Sequence, residues 1–595
     1  MRIHVASALS LSTMLALPAV ALADGAWENL LVVGGSSPSS VPGVAGAVWI
    51  PNSLNNPTID SVGRVSFRGQ IGGDGITLAN SRMVLLGTPD DWVTVGRDGS
   101  PLPGGLLPGY VWNSTSGTNG LGSSNNISAD GGVLVSGNIN GPGVTSTTDT
   151  ASFFVSSSGV ASLVAREGDP YPGGGGSTIT TTMTGSSGTR VSNDGEYILS
   201  VALSGGDVSG STNNGAIVKF SPAGASVVFR KGAPAPGVEG STMNPDSFGL
   251  NLNDGKVSFS GTLVGGSVTT SNDKALFTNL SPVGELRMYA REGDAVPGLV
   301  DTVYKPATSP AQIAQPIVGS SLVFYSDLAG AAVTPNVNDW AVFSETSGSV
   351  EVLLRKGESV PGVTDTVFRQ VNTSSVTSTP SGMLAYQGLL MFADGTTTDV
   401  PNASYVGVRK PDGTRITVCR QGDAAPGIKG GVFSSLNGST SICASDSGAV
   451  VFANNVTVGA ESVAAIYAWD EASGLRLLAR VGDTSFTGTP VNQLTLIGST
   501  GQNGNGGSTG LNGRGQLVIR AGDSVNSTYA VARIQIGEPD SSCPADLNGD
   551  GNVGGVDLSN LLAQWGTDGS ADINGDGTVD AVDLSSVLAA WGQCP

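Results

Sequence analysis

Short apolar runs such as Val257-Ser258-Phe259 and Val352-Leu353-Leu354 are separated by stretches of Ser, Thr, Asn and Gly. Alternating runs bounded by turn formers predict strands and argue against long helices over most of the chain. Around residue 300 four such runs can be placed: 286–290, Thr302-Val303-Tyr304, Leu322-Val323-Phe324 and Ala341-Val342-Phe343. The second of these recurs as Val48-Trp49, Val367-Phe368 and Val432-Phe433. Two stretches break the pattern. Leu9 to Leu22 is apolar, follows Met1-Arg2 and runs into Ala21-Leu22-Ala23, which predicts a secretory signal peptide over 1–23 and a mature start near Asp24. Near the end, Leu558, Leu561, Leu562, Trp565 and again Leu584, Val587, Leu588, Trp591 are spaced i, i+3, i+4, i+7, which predicts two helices with one apolar face each.

A repeat organises the strand-rich part. Arg-x-Gly-Asp followed by Pro-Gly reads Arg166-Glu167-Gly168-Asp169, Arg291-Glu292-Gly293-Asp294 and Arg420-Gln421-Gly422-Asp423. Variants begin at Arg97, Arg230, Arg355 and Arg480, and Gly35 to Pro42-Gly43 resembles a decayed copy. The arginines are spaced by 60 to 69 residues. A second marker, a turn glycine with an apolar residue four later, keeps the same period: Gly63/Phe67, Gly131/Val135, Gly195/Leu199, Gly255/Phe259, Gly382/Tyr386, Gly448/Phe452 and Gly515/Ile519, with Ser320/Phe324 fitting by substitution. Residues repeated in every unit read as turn chemistry, with Asp bonding local amides and Arg pairing a neighbouring carbonyl or carboxylate.

Four short antiparallel strands per unit, in eight copies, predict an all-β fold, a β-propeller over 24–537. Seven blades result if the decayed end units merge, and a β-solenoid is the rival architecture. Because the array starts and ends out of phase with the arginine motif, its first and last segments can share a blade. These units resemble a bacterial tandem-repeat family with an Asn-x-x-Gly-x-x-Ala-Phe pattern and exchangeable C-terminal anchors. Asn512-Gly513-Arg514-Gly515 keeps the Asn, whereas Asp60, Ser128, Ser192, Thr379 and Ser445 stand in its place elsewhere. The resemblance covers roughly 30–537 and implies no catalytic activity.

Composition narrows the function. The only histidine is His4, so the mature chain has no imidazole, which excludes Ser-His and Cys-His nucleophiles and histidine-ligated metals. Net charge is −20, and ten Asp/Glu with no Lys or Arg lie from Glu538 onward. That balance disfavours nucleic acid and points the tail towards a cation. No segment is long and apolar enough for a transmembrane helix. Four cysteines in an exported chain predict disulfides. Three pairings exist, and proximity favours Cys419–Cys443 and Cys543–Cys594.

Beyond a 538–542 linker, residues 543–595 carry the candidate chemistry. Two twelve-residue loops, offset by 26 residues, run from Asp546 to Asp557 and from Asp572 to Asp583. Positions 1, 3 and 5 supply Asp546, Asn548, Asp550 and Asp572, Asn574, Asp576. Gly551 and Gly577 make the turn, Asn552 and Thr578 offer carbonyls, and Asp557 and Asp583 close the loops. Calcium takes such sets of hard oxygen ligands. The loop-then-helix duplication, with Asp at position 12, resembles a type I dockerin, a small α-helical EF-hand-like domain. Cys543-Pro544-Ala545-Asp546 and Trp591-Gly592-Gln593-Cys594 resemble its cysteine-bracketed anchor variant. That resemblance implies two calcium ions and a cohesin-like or other surface partner. Positions 10 and 11, Gly555-Val556 and Ala581-Val582, lack the hydroxyl or basic side chains of cellulosomal dockerins.

Three functions remain open. One is a secreted or surface-attached non-catalytic protein with the dockerin as attachment and the propeller as a face for a glycan or protein. Another is a dockerin-bearing carbohydrate-active enzyme, a glycoside hydrolase working with carboxylates. The third is a structural component of the cell envelope.

Overall fold

The computed structural model describes residues 27–593 apart from 34–39, 56, 90, 114–120, 122–125, 182–190, 246–249, 254, 281–284, 306–316, 319–320, 347, 397–399, 437–441, 484–489, 497–509, 537–542, 548–551, 568–570, 572 and 574–577. Residues 1–23, expected to be a signal peptide, and Ser320 therefore lie outside the described residues. Contacts divide the chain into two compact units, the strand-rich body and the C-terminal tail. Among the described residues no helix is long and apolar enough to cross a membrane.

The body is an all-β propeller of eight blades, each built on four antiparallel strands. Blade 1 covers 40–97, blade 2 111–166, blade 3 178–230, blade 4 241–291, blade 5 303–355, blade 6 366–420 and blade 7 432–480. Blade 8 takes three strands from 493–535 and its fourth, Trp27–Val33, from the start of the chain. Trp27 faces Ile534 and Val33 faces Tyr529 in that antiparallel pair. Termini that are out of phase with the repeat thus close the ring, and eight is the count rather than seven.

The repeat motif is the passage between blades. Each motif arginine ends the edge strand of one blade, and a turn follows in which the fourth residue's N–H bonds the arginine carbonyl, at 3.2 Å for Asp169 and 3.0 Å for Asp423. The glycine two residues after the arginine needs a positive φ, +88° at Gly168 and +87° at Gly422, which a side chain disfavours. The Asp carboxylate then accepts the arginine's own N–H, at 2.9 Å in Asp169 and 2.8 Å in Asp423. Next, Gly168 N–H reaches Ile179 O and Gly422 N–H reaches Phe433 O, both at 2.9 Å, which docks the turn on the next blade's first strand.

The second marker is also a turn. Asp60, Ser192, Thr379 and Asn512 each accept, through a side-chain oxygen, the N–H four residues on, at 2.7, 3.0, 3.2 and 2.9 Å. Any short side chain with an oxygen does this, so Asp, Ser and Thr replace Asn without changing the turn. The apolar residue that follows enters the core. Phe259 stacks on Phe277 and Phe324 on Phe343, at centroid distances of 5.7 and 5.1 Å.

Eight buried apolar clusters hold the ring, one between each pair of neighbouring blades. This arrangement overturns the expected Cys419–Cys443 disulfide. Both residues are buried thiols. Cys419 lies in the cluster between blades 6 and 7, and Cys443 in the cluster between blades 7 and 8. Packed layers stand about 10 Å apart, whereas a disulfide needs Cα atoms within about 7 Å.

Candidate functional site

The tail is built on two helices, α1 (Gly555–Ala563) and α2 (Ala581–Ala589). Each begins at loop position 10, where the aspartate at position 12 becomes the third helical residue and folds back to cap the start. Asp557 Oδ2 accepts Gly554 N–H at 2.7 Å, and Asp583 Oδ2 accepts Asp580 N–H at 2.8 Å. Asp583 Oδ1 also accepts Ile573 N–H at 2.7 Å, from position 2 of its own loop. A carboxylate beside a helix N-terminus is favourable on both counts, hydrogen bonding and dipole.

A small core of Ala545, Val553, Leu561, Ala571, Val579 and Val587 joins the two halves. They are further tied where Gly566 N–H bonds Val579 O at 2.8 Å and where Asn552–Val553 pairs with Gly592–Gln593. Cys543 is disulfide-bonded, and Cys594 is outside the described residues.

Of the ten expected ligand residues, Asp546, Asn552, Asp557, Thr578 and Asp583 fall among the described residues, Asn552 by its backbone alone. Asn548, Asp550, Asp572, Asn574 and Asp576 lie outside them. Among the described residues no group of three or more His, Cys, Asp or Glu is placed to hold a metal. What the described part does show is that the two position-12 carboxylates are buried, Asp557 1% and Asp583 0% exposed. Both sit in a segment without a single Lys or Arg. Burying a charge is costly unless hydrogen bonds, a counter-charge or a metal offset it. Backbone amides supply compensation here.

The helix faces are not wholly buried. Leu561 and Val587 point into the core, while Leu562, Trp565, Leu588 and Trp591 are exposed. Val556 and Val582, at position 11 of the loops, are exposed as well. All six show between 43% and 54% of their surface, and each has its counterpart 26 residues away in the other half. Sequence spacing identified the apolar stripe but not which part of it a small core leaves uncovered.

In the propeller, some carboxylates with disturbed titration sit at repeated positions, whereas Asp327, raised chiefly by burial, does not. Burial pushes the Glu167 carboxyl above its ordinary range, Thr150 Oγ1–H at 3.3 Å pulls it back, and Asp149 adds to the rise. The same position one repeat pair later, Glu292, is also raised, chiefly by burial and then by Asp273. Glu345 is buried but ion-paired with Arg287, and it accepts Gly348 N–H. These groups serve the strand ends they sit on. The motif arginines behave likewise, with Nε–H donated to Asn80 O, Asn272 O and Asn402 O at 3.1, 2.8 and 2.8 Å from Arg97, Arg291 and Arg420.

One protein family, described as "Family of unknown function (DUF7453)", matches this chain over residues 19–315 and again over 311–524. No curated protein matches it. Among solved structures the chain is similar to a prolyl endopeptidase, at 13% identity over 75% of this chain and 52% of that one, with a TM-score of 0.37. It is also similar to the β-propeller domain of the Trilobed protease from Pyrococcus furiosus, at 7% identity over 72% and 96%, TM-score 0.33. Polysaccharide lyase Uly1 follows at 12% identity over 76% and 98%, TM-score 0.31. The chain spans about half the length of the prolyl endopeptidase.

Proposed function

The chain belongs to the DUF7453 family, whose function is unknown, and we propose that it is an exported, non-catalytic repeat protein attached through a calcium-ordered, dockerin-like tail. The tail docks on a cohesin-like or other surface protein, and the propeller is the face held out for a ligand. The observation that carries this reading is the duplicated set of exposed apolar side chains in the tail, Val556, Leu562, Trp565 and Val582, Leu588, Trp591. Exposed tryptophans and aliphatics on so small a unit favour an interaction surface. The strongly acidic character of the same segment favours a partner with basic residues around an apolar centre.

Calcium belongs to this reading as the ion that neutralises two loops of carboxylates and fixes the helix starts. Asp546, Asn548, Asp550, Asn552 and Asp557 would hold one ion, and Asp572, Asn574, Asp576, Thr578 and Asp583 the other. Non-catalytic action is supported by the lack of any histidine beyond His4 and by the placement of Glu167 and Glu292 at the same repeat position.

Calorimetric titration of the full chain with calcium tests the proposal. Two sites are expected, both lost in Asp546→Ala plus Asp572→Ala. Retention of a partner from cell-surface extract is expected only with calcium, and Trp565→Ala plus Trp591→Ala should weaken it by about 2–4 kcal/mol. Calcium binding unaffected by the aspartate substitutions, or retention unaffected by chelation, would overturn it. Release of reducing sugar from a polysaccharide panel would replace it with the glycoside-hydrolase reading.

A further inference from the structure

A repeat supplies its own control, because a copy that abandons the common role of a residue is free for another. Arg355 is such a copy. Its turn is intact, with Glu358 N–H on Arg355 O at 3.2 Å. Its guanidinium, however, makes none of the contacts found elsewhere. Arg97, Arg230, Arg291 and Arg420 give Nε–H to the carbonyl of an asparagine. Arg166 instead lies over the Tyr110 ring at 5.3 Å. The Nε and Nη2 of Arg355 are both buried with no partner, whereas Arg166 and Arg291 each leave a single nitrogen, Nε and Nη2 respectively, in that state. A buried donor left unmade costs about 1–3 kcal/mol, more when charged, so a ligand that accepts from it is favoured.

Arg355 borders a cleft of about 570 Å3 in blade 5. One wall is the Pro-Gly hairpin tip, residues 297–299, and the other is residues 349–352 of the strand Ser349–Arg355. That strand is a sheet edge, paired on one side only, with Trp340–Thr346. Side chains alternate along a strand, so a cleft against one face of a sheet touches every second residue. Here four consecutive residues line it, which places the cleft along the edge, where main-chain N–H and C=O groups are on offer. Pro297, Leu299, Val350 and Val352 add apolar patches to a lining that is mainly polar. Its two acids are already matched across the blade boundary, Glu351 by Arg409 and Glu358 by Arg415. One positive charge remains, that of Arg355.

We propose that this cleft binds an extended peptide, added as a further strand to the edge Ser349–Arg355, with the peptide's terminal carboxylate taken by Arg355. Strand addition draws affinity from main-chain hydrogen bonds and specificity from alternate side-chain pockets. Four residues of edge span about 14 Å, room for about four residues of peptide. A guanidinium turned towards the cleft holds a carboxylate through two parallel bonds, which would satisfy the two buried donors. The site lies wholly in the propeller and stands or falls independently of the tail.

The test uses the full chain, immobilised, and mixtures of tetrapeptides degenerate at all four positions. Peptides with a free carboxylate should be retained at least tenfold better than the same mixture amidated at the C-terminus. Arg355→Gln should abolish that preference, and Arg291→Gln, whose arginine holds Asn272 O, should keep it. Methylation of alternate peptide nitrogens should reduce retention at least tenfold on the unaltered protein, a result that does not depend on any variant folding. Equal retention of acid and amide overturns the proposal, as does indifference to N-methylation. Displacement by D-glucuronate at concentrations where it matches the tetrapeptides also overturns it, because a small acid would then suffice.

Discussion

Gly448 and Gly195 occupy the same position in the marker turn, at φ +82° and +75°. Their surroundings differ. A Cβ on Gly448 meets nothing within 4 Å, whereas on Gly195 it comes within 2.6 Å of the Phe154 ring. Gly448→Ala should therefore cost about 1–2 kcal/mol from backbone strain alone, and Gly195→Ala clearly more. Ser192→Ala removes the acceptor of Glu196 N–H and should cost about 1 kcal/mol. Urea unfolding of the three variants checks the order, and equal midpoints for the two glycine variants would contradict it. Glu167 gives a pH signature. Its folded carboxyl titrates above the ordinary range, so its protonated form is the one the fold prefers. The contribution is complete below the unfolded pKa and is lost as pH rises through the folded one. Glu167→Gln should thus be more stable than the parent near neutrality, with the gap closing on acidification towards pH 4 to 5. A gap that widens in acid would refute this. The turn residues were legible in the sequence because their chemistry is local. The role of each glycine's neighbour was not, since Phe154 reaches Gly195 from the adjacent blade.

At the scale of elements, the strand Trp27–Val33 is the closure of the ring. Leu30 and Val33 are buried with Val518, Tyr529 and Val531. Arg533 fastens the joint, with Nη1 on Gly63 O at 2.7 Å and Nη2 on Glu28 Oε2 at 2.8 Å. Its side chain is 6% exposed, so its hydrogen bonds form in a sheltered site. Arg533→Ala should lower stability by about 2 kcal/mol and make the N-terminal strand sensitive to protease. Deleting 27–33 should cost at least about 3 kcal/mol, from two buried side chains before the ladder is considered. An unchanged urea midpoint for either would sink the latch assignment. Helices α1 and α2 were expected from i, i+3, i+4, i+7 spacing, and they form. Spacing names a face, however, and only packing chooses which half of it is covered.

At the scale of the molecule, two compact units with different kinds of stabilisation should lose structure separately. The tail leans on the Cys543 disulfide and, by the reading above, on calcium, while the propeller leans on eight interblade clusters. Reductant and chelator together should remove the weaker transition in calorimetry and leave the propeller transition in place. Burial pushes the Cys419 thiol well up, so alkylation of Cys419 is expected only once the propeller unfolds. Labelling of the folded chain at Cys419, or a single transition that moves as a whole, would contradict this division. What the sequence by itself determined was everything written in local, periodic chemistry. That includes strands, turn types, the eightfold repeat and the loop-then-helix tail. Such features follow from residues within a few positions of one another, and repetition makes them readable without a partner. Only the tertiary structure decided the rest: that residue 27 pairs beside residue 534, that Cys419 and Cys443 lie in different layers, that half of each tail helix stripe stays in solvent, and that Arg355 buries both Nε and Nη2 without a partner. These depend on which surface meets which after the chain has closed, and distance along the sequence carries no record of that.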